Sequence, residues 1–466
     1  MRVLVVGLGV TGDAVVRHLL SPSSRADATG GGVTVTVVDD EPSAATAPYA
    51  EGARRAGATV IERPVAALVE EHAHRCDLIV PSPGVNERHP AIRAARSAGV
   101  AVRSEVDLAL ERASMPVVAV TGTNGKTTVV TLVAAMLDAS GIRVRAAGNI
   151  GHPLLDAVTE PVDVVVAEVS SFQLELTTAA FHPRVAVLLN VAADHLDWHG
   201  SQERYVAAKA RIGAHLADDD AFVFNADDPT VRALAEGVKA RRIPFSLDPH
   251  RESGFRIGPD GLLGPDGVRL VDLADLAGRA PHDRENMLAA AAAGREVGAT
   301  AGGIAAAVRS FGGLPHRMTV VGEWHGVRFV DDSKATNPHA AERAIRATHA
   351  PGTGDRRVVL IAGGRDKGLD LGGLAGTAPA LRGVVAIGEA ASAVAAAFAP
   401  TGIAVRDAGS MRDAVETAAG LAEPGDVVLL SPACASFDWY DSYAARGDDF
   451  AREVAQLRDV PAAGSR

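Results

Sequence analysis

Cysteine is nearly absent from this chain: Cys76 and Cys434 are the only two in 466 residues, far apart in sequence. A disulfide framework is therefore excluded, and a reducing, cytoplasmic compartment fits. No segment reaches the ~18 consecutive apolar residues that a membrane-spanning helix needs. The opening MRVLVVGLGV has one Arg and a short apolar run. Gly7, Gly9 and Gly12 break that run and no small-residue cleavage pattern follows, so a signal peptide is not expected. Basic charge is in deficit too. Lys and Arg number 46 against 57 Asp and Glu, a net −11, which argues against non-specific binding to nucleic acid or an anionic membrane. No repeat of solenoid period is present.

Lysine is scarce in its own right. Only Lys126, Lys209, Lys239, Lys334 and Lys367 occur, so arginine accounts for 41 of the 46 basic residues. A codon bias explains the excess of Arg. It leaves each retained Lys as a candidate for work that a guanidinium cannot do.

What is present is ample apolar content, 47% of the chain, enough for several buried cores. At about 150 residues per domain the length suggests three. Short apolar runs alternate with helical patterns, which predicts parallel α/β sheets. A first series has strands at Arg2–Val6, Val33–Val38, Leu78–Val80 and Val100–Val102, with a polar loop over Ser21–Gly32. A second has strands at Pro116–Val120, Val162–Ala167, Val185–Asn190 and Ala221–Phe224, and a helix at Thr127–Ala139. Hairpins or loops follow over Pro249–Leu273, then an Ala-rich helical region over Asp283–Ser310. A third has strands at Arg328–Val330, Val358–Ala362, Val384–Ile387 and Val427–Leu430. The expected architecture is three α/β domains: Rossmann-like over 1–104, P-loop-type ATPase over 105–313, and Rossmann-like over 314–466.

Thr121-Gly122-Thr123-Asn124-Gly125-Lys126-Thr127-Thr128 follows a strand and opens a helix. Glycines let backbone N–H groups close around phosphate oxygens, and the helix N-terminus favours negative charge. Lys126 can reach the β- and γ-phosphates and the Thr127 hydroxyl can sit on Mg²⁺. The P-loop pattern is incomplete, because Val120 stands where its first Gly belongs. Gly7-Leu8-Gly9-Val10-Thr11-Gly12 is a complete G-x-G-x-x-G after a strand, with Asp39 and Asp40 ending the next one. It suits NAD(P) or another diphosphate nucleotide. Glu168 follows a strand directly. It suits Mg²⁺, which takes oxygen ligands, or equally an N-cap acid of the next helix. Asn190 ends another strand, and Asp194-His195-Leu196-Asp197-Trp198-His199 packs acids and imidazoles into one loop. Lys209 reads as a surface lysine, or as an amine able to take up CO₂ to form a carbamate, which Arg cannot do. In the third series, cations and hydroxyls at several strand ends make an anion pocket. Cys434 reads as a small packing residue.

Together these strings resemble one family, the ATP-dependent Mur ligases of peptidoglycan precursor synthesis. The resemblance runs through all three domains in order. It is carried by Glu-Val-Ser-Ser-Phe-Gln-Leu from Glu168, Asp-His-Leu-Asp from Asp194 and Leu-Pro-His-Arg from Leu314. It continues through Asp-Ser-Lys-Ala-Thr-Asn from Asp332, Asp-Lys-Gly from Asp366 and Ser-Pro-Ala-Cys-Ala-Ser-Phe-Asp from Ser431. The third-domain strings point within the family to the D-glutamate-adding branch. The resemblance implies amide formation between UDP-N-acetylmuramoyl-L-alanine and D-glutamate through an acyl phosphate, with ATP and two Mg²⁺ ions. It implies a cytoplasmic monomer with roles in cell-wall growth, cell shape and division, and no nucleic-acid or membrane partner.

By the same resemblance Gly122, Thr123, Asn124, Gly125, Lys126, Thr127, Thr128, Asn286, Arg317 and Asp332 contact ATP. Thr127 and Glu168 hold one Mg²⁺; His195 and a carbamylated Lys209 hold the other. Lys126, Glu168, His195, Lys209 and Lys334 serve catalysis. Val10, Thr11, Asp40, Ser82, Gly84, Asn149 and His195 contact the UDP substrate. Thr336, Lys367, Ser436 and Tyr443 contact D-glutamate. The sequence departs from the family at Glu41-Pro42, where an Arg often stands, and at His282-Asp283, a more usual His-Asn. A ligase adding another acid, such as L-glutamate, and an NAD(P)-dependent oxidoreductase are the competing readings.

Overall fold

The computed structural model describes residues 1–21, 32–251, 253–348 and 357–457. Residues 22–31 of the expected Ser21–Gly32 loop lie outside the described residues. The chain forms two compact units. Met1–Val191, Glu203–Arg279 and Asp283–Phe311 make up the first; Ala192–Gln202, Ala280–His282 and Gly312–Arg466 make up the second.

Two sheets share the first unit. One is all parallel, with β1 (Arg2–Val6), β2 (Thr34–Asp39), β3 (Thr59–Glu62), β4 (Leu78–Pro81) and β5 (Ala101–Val102) in the order β3-β2-β1-β4-β5. The order reverses between β1 and β4, which opens a crevice beyond their C-terminal ends. The second sheet holds β6 (Val117–Thr121), β7 (Val144–Gly148), β8 (Val164–Glu168), β9 (Val185–Leu188), β10 (Ala221–Asn225), β11 (Arg241–Ser246), β12 (Phe255–Gly258), β13 (Gly261–Leu263) and β14 (Arg269–Asp272). Its order is β14-β13-β12-β11-β10-β9-β6-β8-β7, parallel from β7 through β12 and antiparallel across β12-β13-β14. β6 and β8 are buried along their whole length, as strands covered on both faces must be. One apolar cluster runs from Val3, Val5 and Val37 through Val106 and Leu110 to Ala119, Leu188 and Phe222. This continuity makes the first two sheets one unit.

The third sheet lies in the second unit: β15 (Thr319–Trp324), β16 (Val327–Asp331), β17 (Val358–Gly363), β18 (Leu381–Ile387), β19 (Val405–Ala408) and β20 (Val427–Ala433), ordered β15-β16-β20-β17-β18-β19. Only β15 is antiparallel to its neighbour.

The expected strands are present within one to three residues at their ends. Five more were not foreseen: β3, β7, β11, β15 and β19. Four of them, β3, β7, β15 and β19, are edge strands whose short apolar content is diluted by Arg, Glu or Asp. The hairpin expectation over Pro249–Leu273 corresponds to β12–β14. The Ala-rich region is two helices, Pro281–Glu296 and Ala301–Ser310. Gly298 at φ 102° ends the first, and the Thr300 hydroxyl caps the second by accepting from Gly303 N at 3.0 Å.

Helix Ala301–Ser310 lies close against helix Lys126–Asp138, and Gly303 permits the approach. A Cβ at Gly303 would fall 2.0 Å from Ser140 Oγ and 2.8 Å from the Met136 carbonyl oxygen. Gly303→Ala is expected to cost ~1–3 kcal/mol through overpacking, read as a lower urea midpoint. An unchanged midpoint would show that the two helices separate freely.

Candidate active site

The phosphate loop leaves β6 at the point where β8 and β9 flank it, the switch point of the second sheet. Two glycines are sterically required. A Cβ at Gly122 would lie 2.8 Å from Leu189 Cβ, and one at Gly125 would lie 2.4 Å from Asn286 Oδ1. Gly125 also sits at φ 91° as the N-cap of helix Lys126–Asp138. The buried Asn190 clamps the loop from the side: its Oδ1 accepts from Asn124 N at 2.8 Å and its Nδ2 donates to Asn124 O at 3.0 Å. Its own carbonyl accepts from Thr123 N at 2.9 Å. Lys126 Nζ folds back on the loop, donating to the Gly122 and Thr123 carbonyls at 2.9 and 3.0 Å.

Thr127, Glu168 and Asn149 meet beneath the loop. Thr127 Oγ1 donates to Glu168 Oε2 at 2.7 Å, and Asn149 Nδ2 donates to Glu168 Oε1 at 3.2 Å. Glu168 is not a helix cap; Ser170 takes that place, with a reciprocal capping box to Gln173. A hydroxyl and a carboxylate side by side are hard oxygen donors of the kind Mg²⁺ takes, leaving further positions to phosphate and water. Among the described residues, no group of three or more His, Cys, Asp or Glu side chains is gathered as a metal site.

Lys209 is not a surface residue. It is 1% exposed, donates to the Gly122 carbonyl at 2.9 Å, and lies 4.7 Å over the Tyr205 ring. Tyr205 OH in turn bonds Thr123 Oγ1 at 3.0 Å. Lys126 and Lys209 thus converge on one carbonyl oxygen of the loop.

The first sheet presents its own loops at the β1/β4 crevice. Gly12 must be glycine, since a Cβ there would lie 2.2 Å from the Gly7 carbonyl oxygen. Ser82 Oγ donates to that same oxygen at 2.9 Å. Val10 and Thr11 open helix Val10–Leu19, and Val10 and Gly84 are exposed. Asp40 Oδ2 lies 2.8 Å from His89 Nε2. His89 Nδ1 accepts from Ala91 N, so the proton sits on Nε2 and is donated to Asp40. His89 was not singled out from the sequence.

In the second unit the strand ends carry the expected anion-pocket residues. Thr336 follows β16, Lys367 follows β17 and Ser436 follows β20, and these three strands are adjacent and parallel. Lys367 Nζ donates to Asp194 Oδ1 at 2.8 Å, and Asn337 Nδ2 donates to Asp194 Oδ2 at 3.1 Å. Asp194 is therefore the anchor of Lys367, a role the sequence did not reveal. His195 adjoins it at φ 53° and belongs to this unit, whereas Lys209 belongs to the other. Lys334 Nζ stands 5.2 Å over the Tyr443 ring, and Ser333 Oγ donates to the Tyr443 carbonyl at 2.8 Å.

The buried Arg446 stitches these loops together. Its guanidinium donates to Ser333 Oγ and O, both at 2.9 Å, and to the Cys434 and Ala435 carbonyls. Desolvation pulls its pKa down to about 10. Cys434 is buried and its thiol pushed up to about 11, chiefly by burial, which fits a packing role.

Asp332 is buried after β16, and burial lifts its pKa from 3.8 to about 7; the Ser431 hydroxyl, donating at 2.9 Å, and the Arg317 charge pull partly the other way. The Arg317 charge is thus felt at Asp332.

Raised above its unfolded value, the Asp332 carboxyl stabilises the fold at low pH and loses that contribution as pH climbs through about 7. Asp332→Asn keeps an acceptor for Ser431 but has no charge to bury. Its thermal midpoint relative to wild type should rise between pH 5 and 8 while ADP affinity falls. Parallel pH profiles for the two proteins would contradict this placement of the charge.

Comparison with known proteins finds similarity over nearly the whole chain. Three family models match: Mur ligase MurD-like N-terminal domain over 1–104, Mur ligase middle domain over 120–294, and Mur ligase glutamate ligase domain over 316–434. The UDP-N-acetylmuramoylalanine–D-glutamate ligase of Desulfosudis oleivorans is 41% identical, covering 98% of this chain and 97% of that protein. The ligase of the same name from Thermobifida fusca is 40% identical, covering 98% of each. Among solved structures, the MurF ligase of Thermotoga maritima in complex with ADP superposes with a TM-score of 0.58 at 19% identity, covering 91% of this chain and 96% of that one.

Proposed function

The chain belongs to the Mur ligase family, with its three-domain α/β fold, and on that premise we propose that it joins D-glutamate to UDP-N-acetylmuramoyl-L-alanine at the expense of ATP. The observation that carries this reading is a likeness to D-glutamate ligases that spans 98% of the chain, with the phosphate loop, Glu168 and Lys367 all at parallel strand ends. In this reading residues 1–104 hold the UDP substrate, 105–313 hold ATP, and 314–466 hold the amino acid. The work is done in the cytoplasm by a monomer. Among the described residues no helix is long and apolar enough to cross a membrane.

The chemistry follows from the inertness of a carboxylate. An amine does not displace oxide from it. The alanyl carboxylate oxygen attacks the γ-phosphorus of ATP, ADP leaves, and an acyl phosphate results. The D-glutamate amine then adds to the carbonyl, and the tetrahedral intermediate expels phosphate and sheds a proton. The chain's task is to place the reactants and to neutralise charge on the transferring phosphoryl group. Lys126 leaves the loop carbonyls to meet the β- and γ-phosphates, whose remaining oxygens accept from the loop N–H groups. Arg317 and Asp332 with Asn286 hold the nucleoside end. Lys367, Thr336 and Ser436 with the Tyr443 backbone receive the D-glutamate carboxylates, and Lys334 offsets charge near the reacting atoms. Val10, Thr11, Asp40, Ser82, Gly84, Asn149 and His195 contact the UDP substrate.

Mg²⁺, when bound, supplies positive charge against the phosphate oxygens. Thr127 and Glu168 would hold one ion, His195 and a carbamylated Lys209 the other. Lys209 supports that reading by its burial beside the loop, where an anionic carbamate would add the oxygen ligand the site otherwise has few of.

An amino-acid panel, D- and L-forms, assayed for ADP release with UDP-N-acetylmuramoyl-L-alanine, tests the reading. Turnover with D-glutamate alone is expected. Preference for L-glutamate would place the chain elsewhere in the family, and NAD(P)H consumption in place of ADP release would overturn it. Lys209→Arg preserves charge but forms no carbamate, and should lose nearly all turnover. A wild-type rate in that variant would refute the carbamate role.

A further inference from the structure

The string Glu-Val-Ser-Ser-Phe-Gln-Leu contains a glutamine whose role the reaction does not explain. Gln173 is 3% exposed. Its Oε1 accepts from Ser170 N and Ser170 Oγ, both at 2.8 Å. A backbone N–H only donates, so this fixes which way the amide faces. Nε2 is therefore the group turned to Glu105, and it donates to Glu105 Oε1 at 2.5 Å.

Glu105 lies in the joint between the first and second sheets, and it too is 3% exposed. Ser104 Oγ donates to its other oxygen at 3.0 Å. The rest of the joint is bolted to the same stretch of chain. Ser104 N donates to Leu176 O at 3.2 Å, and the fully buried Asp107 accepts from Thr178 N at 3.0 and 3.1 Å. Burying carboxylates is expensive, and apolar residues of like volume would serve stability as well or better. Such a contact earns its retention when it fixes a register. What it fixes here is the chain leaving β8. The sheet sets the Glu168 backbone, but Ser170, two residues on, is held at both N and Oγ by Gln173 alone among the contacts above. The Glu168 carboxylate is the group that meets Thr127 and Asn149.

We infer that Gln173 and Glu105 are positioning residues, a buried latch through which the joint below the UDP-substrate domain sets Glu168 for the metal and nucleotide. The inference rests on the reading of Glu168 as a metal ligand. It also gives the two-domain body of the first unit a purpose: the joint that carries one substrate's domain is wired to a ligand of the other substrate's metal. Burial raises the Glu105 carboxyl above its usual range, with the Gln173 and Ser104 bonds acting against that. The latch holds in either protonation state so long as Oε1 accepts.

The test uses the full-length protein and Mn²⁺ as the metal probe, its affinity read by electron paramagnetic resonance with saturating ADP, independently of turnover. Gln173→Ala should weaken Mn²⁺ by ~10-fold or more, the range typical of residues that orient metal ligands, while the KM for D-glutamate stays put. Glu105→Gln keeps a carbonyl oxygen for Gln173 and should stay near wild type. Glu105→Met fills the space without an acceptor and should reproduce the Gln173→Ala loss, which keeps the test open if Gln173→Ala does not fold. Glu168→Ala is the reference. If it loses Mn²⁺ while Gln173→Ala and Glu105→Met do not, the latch is overturned and the metal reading stands. If Mn²⁺ binds all of them as it binds wild type, the metal reading of Glu168 falls and takes the latch with it.

Discussion

A polyanionic phosphate chain can be held by backbone N–H groups only where no side chain stands in the way and the loop is fixed before the ligand arrives. That constraint organises the first unit. Leu189 and Asn286 leave room for Gly122 and Gly125 and for nothing larger. Asn190 spends both ends of its amide on Asn124. Lys126 and Lys209 both donate to the Gly122 carbonyl and so tie down the loop's back. The fold's contribution is to bring β6, β8 and β9 side by side, so that the loop, Glu168 and Asn190 leave adjacent strands at one edge.

The second unit solves a different problem with the same geometry. It brings Thr336, Lys367 and Ser436 to the ends of three adjacent parallel strands. Lys367 is held by Asp194 and Lys334 by the face of Tyr443, so neither ammonium is left to wander. Arg446 is charged, buried and bonded to carbonyls and a hydroxyl in two loops, which makes it a structural bolt. Ser333 and Cys434 are thereby locked to the helix that begins at Tyr443.

Much of this was legible in the sequence, for reasons that differ by residue. Strands buried on both faces, such as β6 and β20, are continuous apolar runs and announce themselves. Edge strands such as β3 and β19 are half polar and do not. Glycine motifs were readable because φ and close approach admit no other residue. The five lysines stood out because 41 arginines surround them; the same excess concealed Arg446, which looks like any other arginine until its burial is seen. Asp194, Asn190, His89 and Tyr205 act through partners 49 to 173 residues away in sequence. Local pattern carries no record of such pairings.

The central claim is that an unreactive acid is activated by transfer of a phosphoryl group to its own oxygen. The direct measurement is isotopic. UDP-N-acetylmuramoyl-L-alanine labelled with ¹⁸O in both carboxylate oxygens should, on turnover with ATP and D-glutamate, deliver one ¹⁸O atom to the released phosphate and keep the other in the new amide. Phosphate released free of ¹⁸O would contradict the account.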